Sequence, residues 1–129
     1  MLVADIHHVS LNVTDTERAL GFYRDVLGLA LLDRPAFAFN GAWLDAGNGR
    51  QVHLIETDAV PSDVGQHFAF LVDDIDGVVA AVRAAGYSVP DPKTVQGGVA
   101  RQTFVLDPDG NRVEFNEPMV RGADTRAVG

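Results

Sequence analysis

His8-Val9-Ser10-Leu11-Asn12-Val13 decides the fold, because His67-Phe68-Ala69-Phe70-Leu71-Val72 answers it in the second half of the chain. Each stretch leads into an acidic helix-start signal and a helix-like segment. The first runs from Thr14-Asp15-Thr16-Glu17 to Leu27-Gly28-Leu29, the second from Asp73-Asp74 to Ala85-Gly86-Tyr87. Each half then closes on another matched segment. Val52-His53-Leu54-Ile55-Glu56 corresponds to Val113-Glu114-Phe115-Asn116-Glu117. The duplication pairs His8 with His67 and His53 with Glu114. Four potential metal ligands thus occupy two equivalent strand positions, each used twice, and three of the four histidines of the chain are among them.

Ile6 to Val13 alternates as a half-buried strand does. His8, Ser10 and Asn12 share one face; His7, Val9, Leu11 and Val13 share the other. The spacing from Thr14 to Glu17 predicts a capping box, with Thr14 as cap and Glu17 reaching back. The helix after it buries Ala19, Leu20, Phe22, Tyr23, Val26 and Leu27, and Gly28 stops it. Strands are predicted near Ala30–Asp33, Phe37–Leu44 and Gln51–Ile55, with Gly47-Asn48-Gly49 turning between the last two. Ala59 to Gly65 reads as a linker. The order then recurs: a strand over His67–Val72, and a helix started by Asp73 or Asp74 and ended by Gly86. Strands follow at Tyr87–Val89, Arg101–Leu106 and Arg112–Asn116. Asp107-Pro108-Asp109-Gly110 turns between the last two, and Pro92 to Gly98 reads as a mobile loop.

Each repeat is therefore β-α-β-β-β. The fold class is α+β: two tandem βαβββ modules forming a curved eight-stranded cup, helices outside and candidate ligands inside. One domain covers residues 1–118, with module one at 5–57, a linker at 58–65 and module two at 66–118. Residues 119–129 form a frayed tail.

A chain of 129 residues is long enough for one domain with a real core. The formal net charge of −8 argues against a nucleic-acid or anionic-membrane surface. No apolar run reaches the roughly 20 residues that span a bilayer. No secretory signal is visible, and a cytoplasmic location fits. Without cysteine there is no disulfide, thiolate nucleophile or Cys-ligated zinc. Any metal must use imidazole and carboxylate.

Phe22-Tyr23 with Leu27-Gly28-Leu29, the DPDGNRVEF segment from Asp107, and the paired histidine strands together resemble the vicinal oxygen chelate superfamily. That superfamily includes glyoxalase I, extradiol dioxygenases and fosfomycin-resistance proteins. The resemblance spans about residues 5 to 118. Arg34-Pro35, Phe37, Phe39, Gly41-Ala42-Trp43-Leu44 and His53-Leu54 look most like glyoxalase I-like proteins. The resemblance implies metal ligands on the first and last strand of each module, at His8, His53, His67 and Glu114. It also implies a small-molecule substrate and a homodimer. Glyoxalase I usually has a carboxylate where His53 stands.

Three imidazoles and a carboxylate suit a divalent zinc, nickel, cobalt, manganese or iron ion. His53 has three open readings: a fourth ligand, an unligated acid/base, or a solvated strand histidine. His7, of opposite parity, reads as packed or solvated. Glu114 matches the proton-shuttling glutamate of glyoxalase I-like enediolate chemistry, so Glu114 and His53 are the candidate catalytic pair. Phe37, Phe39, Trp43 and Phe104 are candidates for an apolar substrate wall, with ordinary strand packing as the alternative. Ser10, Asn12 and Gln102 reach the same face. Arg34 and Arg101 are candidates to hold an anionic substrate, or are solvated charges.

The leading expectation is a metal-dependent lyase or isomerase acting on a small α-hydroxycarbonyl or thiol adduct. Asn12 and Gln96 stand where bacterial glyoxalase I has basic groups, which points away from a strict glutathione specificity. The alternative is a ferrous extradiol-type dioxygenase. His8, His67 and Glu114 would be its triad and His53 its acid/base, although Phe104 stands where those enzymes usually have Tyr. Thiol transfer to an epoxide antibiotic is a third enzyme reading, with Ser10 as its mark. A non-catalytic ligand-sequestering protein is the fourth, and the ligand set speaks against it.

Overall fold

A computed structural model describes residues 4–58, 66–95 and 98–119. The predicted linker from Ala59, the loop residues Gln96 and Gly97, and the tail from Val120 lie outside the described residues. Among the described residues the chain forms two compact units. The first takes residues up to 58 together with 107–111; the second takes 66–106 and 112–119.

Unit 1 runs β1 (His8–Val13), α1 (Thr16–Leu20), β2 (Ala30–Leu32), β3 (Gly41–Gly47) and β4 (Arg50–Glu56). Its sheet has the order β1-β4-β3-β2, with β1 at one edge running parallel to β4. Unit 2 runs β5 (Phe68–Leu71), α2 (Ile75–Ala84), β6 (Lys93–Thr94), β7 (Ala100–Leu106) and β8 (Arg112–Pro118). Its order, β5-β8-β7-β6, repeats that of unit 1. The βαβββ repeat expected from the duplication is present twice, and the fold is the α+β vicinal oxygen chelate fold.

Alternation explains each core. In unit 1, Val13, Ala42, Leu44, Val52 and Leu54 leave one sheet face and meet Ala19, Leu20, Phe22 and Tyr23, all buried. In unit 2, Val105, Val113 and Phe115 do the same for Ile75, Val79 and Val82 of α2. Helix α1 widens into a π-helical segment over Gly21–Val26. Val26 and Leu27 are only half-buried there, and Gly28 ends the segment at a φ of +82°. Only glycine takes that conformation without strain.

The helix starts differ from the sequence expectation. Asp15, not Thr14, is the cap of α1: it has extended backbone, and its carboxylate accepts the Arg18 N–H at 3.1 Å. The Thr14 hydroxyl instead donates to Asp109. Reach across the sheet replaces the predicted role of Glu17, since Glu56 of β4 accepts the Thr16 N–H at 2.9 Å. Unit 2 repeats the device: Asp74 caps α2 through the Gly77 N–H, and Glu117 of β8 accepts the Ile75 N–H at 2.9 Å.

Two strands are displaced from their predicted places. The third begins at Gly41, so Phe37 and Phe39 lie on the connection before it. Tyr87–Val89 is not a strand. The carbonyls at its end and just past it serve other partners: Arg83 donates twice to Val89 O, and the Thr103 hydroxyl donates to the O of the next residue, Pro90, at 2.7 Å. Lys93–Thr94 pairs with β7 instead, inside the stretch expected to be a mobile loop.

Candidate functional site

β1 and β4 lie side by side in unit 1, and their register puts Ser10 beside His53 and His53 beside Trp43. Paired residues share a face, as do residues two apart. His8, Ser10, Asn12, Gln51, His53 and Trp43 therefore project from the sheet face opposite the helix. His8 and His53 stack with ring centroids 4.0 Å apart, and Trp43 stacks on His53 at 4.4 Å. Phe37 continues the row against Trp43, and Phe39 lies parallel to Phe37 at 5.3 Å. Arg34 spreads its guanidinium over both phenylalanines, at 4.8 and 5.0 Å, and donates to Phe39 O. Phe37 and Phe39 are exposed.

His53 is nearly buried, and its Nε2 lies 2.8 Å from Gln51 Oε1. Burial, then the neighbouring His8, His7 and Arg34, hold its imidazole below the ordinary value of 6.5. His7 does not stand apart from this group. Its Nδ1 lies 2.9 Å from His8 Nδ1, the rings meeting edge-on. The sequence reading separated the two by strand parity; His7 lies one residue before β1, and although its carbonyl accepts the Gln51 N–H at 3.1 Å, its ring meets that of His8.

Unit 2 places Glu114 between Ala69 and Phe104 across three strands. The Glu114 side chain is buried, with Oε1 3.1 Å from His67 Nε2 and Oε2 accepting from Asn116 Nδ2 at 3.0 Å. His67 also meets Phe104 edge-on at 5.4 Å, and Arg112 covers Phe104 at the same distance. Gln102 pairs with Asn116 and shares this face. Arg101 does not. It sits one residue off, on the opposite face, and forks onto Asp76 of α2 at 2.9 and 3.1 Å. Its charge holds the helix, so it is not presented beside Glu114.

Among the described residues, no group of three or more His, Asp or Glu side chains gathers in a metal-holding cluster. Each unit instead offers one pair: His8 with His53, and His67 with Glu114. Sequence reasoning missed Gln51 and Asn116, though both were within reach of the parity rule, being two residues from His53 and Glu114; His7 is exposed, in keeping with its reading as a solvated residue. Asp107 was also missed. Buried in unit 1, it accepts the Tyr23 hydroxyl at 2.9 Å, the N–H groups of Asp109 and Asn111, and Asn111 Nδ2.

Residues 5–115 match the family described as the Glyoxalase/Bleomycin resistance protein/Dioxygenase superfamily. The chain is 37% identical over 123 residues to a lactoylglutathione lyase of Haemophilus influenzae, covering 87% of this chain and 91% of that one. Among solved structures it is similar to a lactoylglutathione lyase from Agrobacterium tumefaciens. That likeness has a TM-score of 0.73 and 25% identity, over 95% of this chain and 100% of the other. It is also similar to an antibiotic-binding protein from a Streptomyces species, with a TM-score of 0.75 and 27% identity over 92% of this chain and 98% of that one.

Proposed function

The chain belongs to the Glyoxalase/Bleomycin resistance protein/Dioxygenase superfamily, and we propose that it serves there as a metal-dependent glyoxalase I-like lyase or isomerase. Its substrate in this reading is a small α-hydroxycarbonyl compound or thiol adduct. The observation that carries the proposal is the buried Glu114 carboxylate, held by Asn116 and paired with His67. Relatives named lactoylglutathione lyase support the reaction class.

The donor set fits a divalent cation. His8, His53, His67 and Glu114 supply three imidazoles and one carboxylate, suited to zinc, nickel, cobalt, manganese or iron. His8, His53 and Glu114 each also touch a polar partner outside the set, at His7, Gln51 and Asn116. Such outer partners orient metal ligands and fix their tautomers. A bound cation would act as a Lewis acid, stabilising negative charge that develops on substrate oxygens.

Glu114 acts in this proposal as the proton carrier: its carboxylate takes a proton from one substrate carbon and returns it to the neighbouring one. Burial keeps bulk water from competing for that proton. In unit 1 the proposed substrate contacts are Ser10, Asn12 and the row of Trp43, Phe37 and Phe39, with Arg34 held against the phenylalanines. In unit 2 they are Gln102 and Phe104, on the face that carries Glu114. A homodimer is part of the proposal, and light scattering at micromolar concentration should give twice the chain mass.

A sequestering role is the second reading, favoured by the likeness to the antibiotic-binding structure and by the exposed Phe37–Phe39 pair. Metal analysis of the purified protein, joined to assays of hemithioacetal turnover and oxygen uptake on catechols, separates the readings. Bound zinc, nickel or cobalt with turnover is expected. Iron with oxygen uptake would instead make it a dioxygenase. Absence of both metal and turnover would leave the sequestering role.

A further inference from the structure

We propose that two side-chain amides, Gln51 and Asn116, are positioning residues of opposite polarity, one setting the proton of His53 and the other the carboxylate of Glu114. The proposal rests on the functional reading above and deepens it. In each unit the amide lies on the same strand as the group it serves, two residues away and on the same face. Gln51 precedes His53 on β4; Asn116 follows Glu114 on β8. They are not equivalents in the duplication, which matches Gln51 with Arg112 and Asn116 with Ile55. The two halves reach the same kind of contact from opposite sides of the served residue, so the shared contact is not a by-product of the repeat.

Polarity follows from the atoms. A carboxylate only accepts, so Asn116 must donate, as its Nδ2 does at 3.0 Å from Glu114 Oε2. Asn116 and Glu114 are both buried, and a buried carboxylate oxygen without a donor is costly. Holding Oε2 leaves Oε1 as the oxygen that faces His67. At Gln51 the sense is reversed. Its Oε1 lies 2.8 Å from His53 Nε2, and an amide oxygen only accepts. Nε2 therefore carries the proton and Nδ1 keeps the lone pair. That tautomer makes Nδ1 the nitrogen of His53 available to a metal or to a substrate proton.

Opposite polarity makes opposite predictions for one chemical change. Gln51→Glu keeps an acceptor of the same length, whereas Gln51→Met keeps the length and removes the acceptor. Asn116→Asp keeps the shape and removes the donor, and Asn116→Ser is a smaller second variant should the acid fail to fold. Each full-length variant is compared by thermal unfolding, by cobalt(II) affinity in chelator competition, and by ring ¹⁵N–¹H spectra of the metal-free protein. Cobalt affinity should stay near that of the parent in Gln51→Glu. It should fall about 10–100-fold in Gln51→Met and in both Asn116 variants, the usual scale for losing an outer partner of a metal ligand.

A slowly exchanging Nε2–H signal of His53 should appear in the parent and in Gln51→Glu and vanish in Gln51→Met. Equal behaviour of Gln51→Glu and Gln51→Met, or parent-like affinity in a folded Asn116 variant, overturns the proposal. If the parent binds no cobalt, the metal-dependent reading fails, and the His53 spectra still decide the role of Gln51.

Discussion

Unit 1 and unit 2 share a scaffold and differ in what they hold at its working positions. Both pair the first strand, at the sheet edge, parallel to the fourth, cap the helix with an aspartate, and tie its first N–H to a glutamate on that fourth strand. At the equivalent positions proposed to hold a metal, unit 1 has two imidazoles stacked with Trp43, and unit 2 has an imidazole hydrogen-bonded to a carboxylate. Burial, then the neighbouring His8 ring, disfavours the protonated form of His53, which suits ligation by neutral nitrogen. A carboxylate beside an imidazole can both ligate and carry a proton. The duplication thus preserves what folds each half and diverges where chemistry needs unlike groups.

The widest separation between the halves should come from matched substitutions at His53 and Glu114. Glu114→Gln keeps shape and one ligand oxygen but removes the base, so turnover of a hemithioacetal should fall about 10²–10⁴-fold in metal-loaded protein. His53→Gln should lose turnover mainly through weaker metal binding, and excess metal should restore it. Restoration of Glu114→Gln by added metal would reassign the proton carrier to unit 1.

Stability should show the next largest contrast, between two hairpin turns. Asp107 is buried and accepts four hydrogen bonds, one from Tyr23 beneath it. Asp107→Ala strands those donors and should cost about 3 kcal/mol. Asp45 serves the β3–β4 turn through a single bond to the Gly47 N–H in an exposed setting. Asp45→Ala should cost about 0.5–1 kcal/mol. Denaturant midpoints measure both, and equal losses would mean that the buried network adds nothing beyond a turn.

How far the sequence anticipates these contrasts depends on the range of the signal. Alternation in His8–Val13 and the internal match of His53 with Glu114 are local patterns, and they yield the βαβββ order and the strand faces that carry His8, His53 and Glu114. Contacts reaching across the chain leave no such mark. The Asp107–Tyr23 bond joins distant residues, and Glu56 does for α1 what Glu17 was expected to do. Arg101 could have been placed by parity, because Gln102 and Phe104 share the face of Glu114 and Arg101 lies between them. Val89 looked like a strand residue until Arg83 claimed its carbonyl.

Glu56 and Glu117 offer a smaller effect that tests the shared scaffold. Each accepts the first N–H of a helix, and the Thr16 N–H, then Asn40, hold the Glu56 carboxyl below its ordinary value. Glu56→Gln and Glu117→Gln should each lower Tm by less than Asp107→Ala does, and by similar amounts. A loss confined to one unit would show that the repeated contact has become structural in only that half.

The smallest expected effect concerns pH and belongs to unit 1. Burial, then the rings of His8 and His7 and the charge of Arg34, press the His53 imidazole below 6.5. The unfolded chain then binds this proton more readily than the folded one. Stability linked to His53 is therefore full above about 6.5, the ordinary value, and is lost as pH falls through the lower folded value. Metal-free protein should lose stability in that window, ahead of the range where carboxylates titrate. His53→Gln removes the titrating ring but keeps a polar side chain of similar reach, so its denaturant midpoint should fall less over the same interval. An equal fall in both proteins would assign the dependence to other groups. A fall that is steeper in His53→Gln would reverse the sign and mean that the folded unit favours protonated His53, against the repulsion expected from its stacked neighbour.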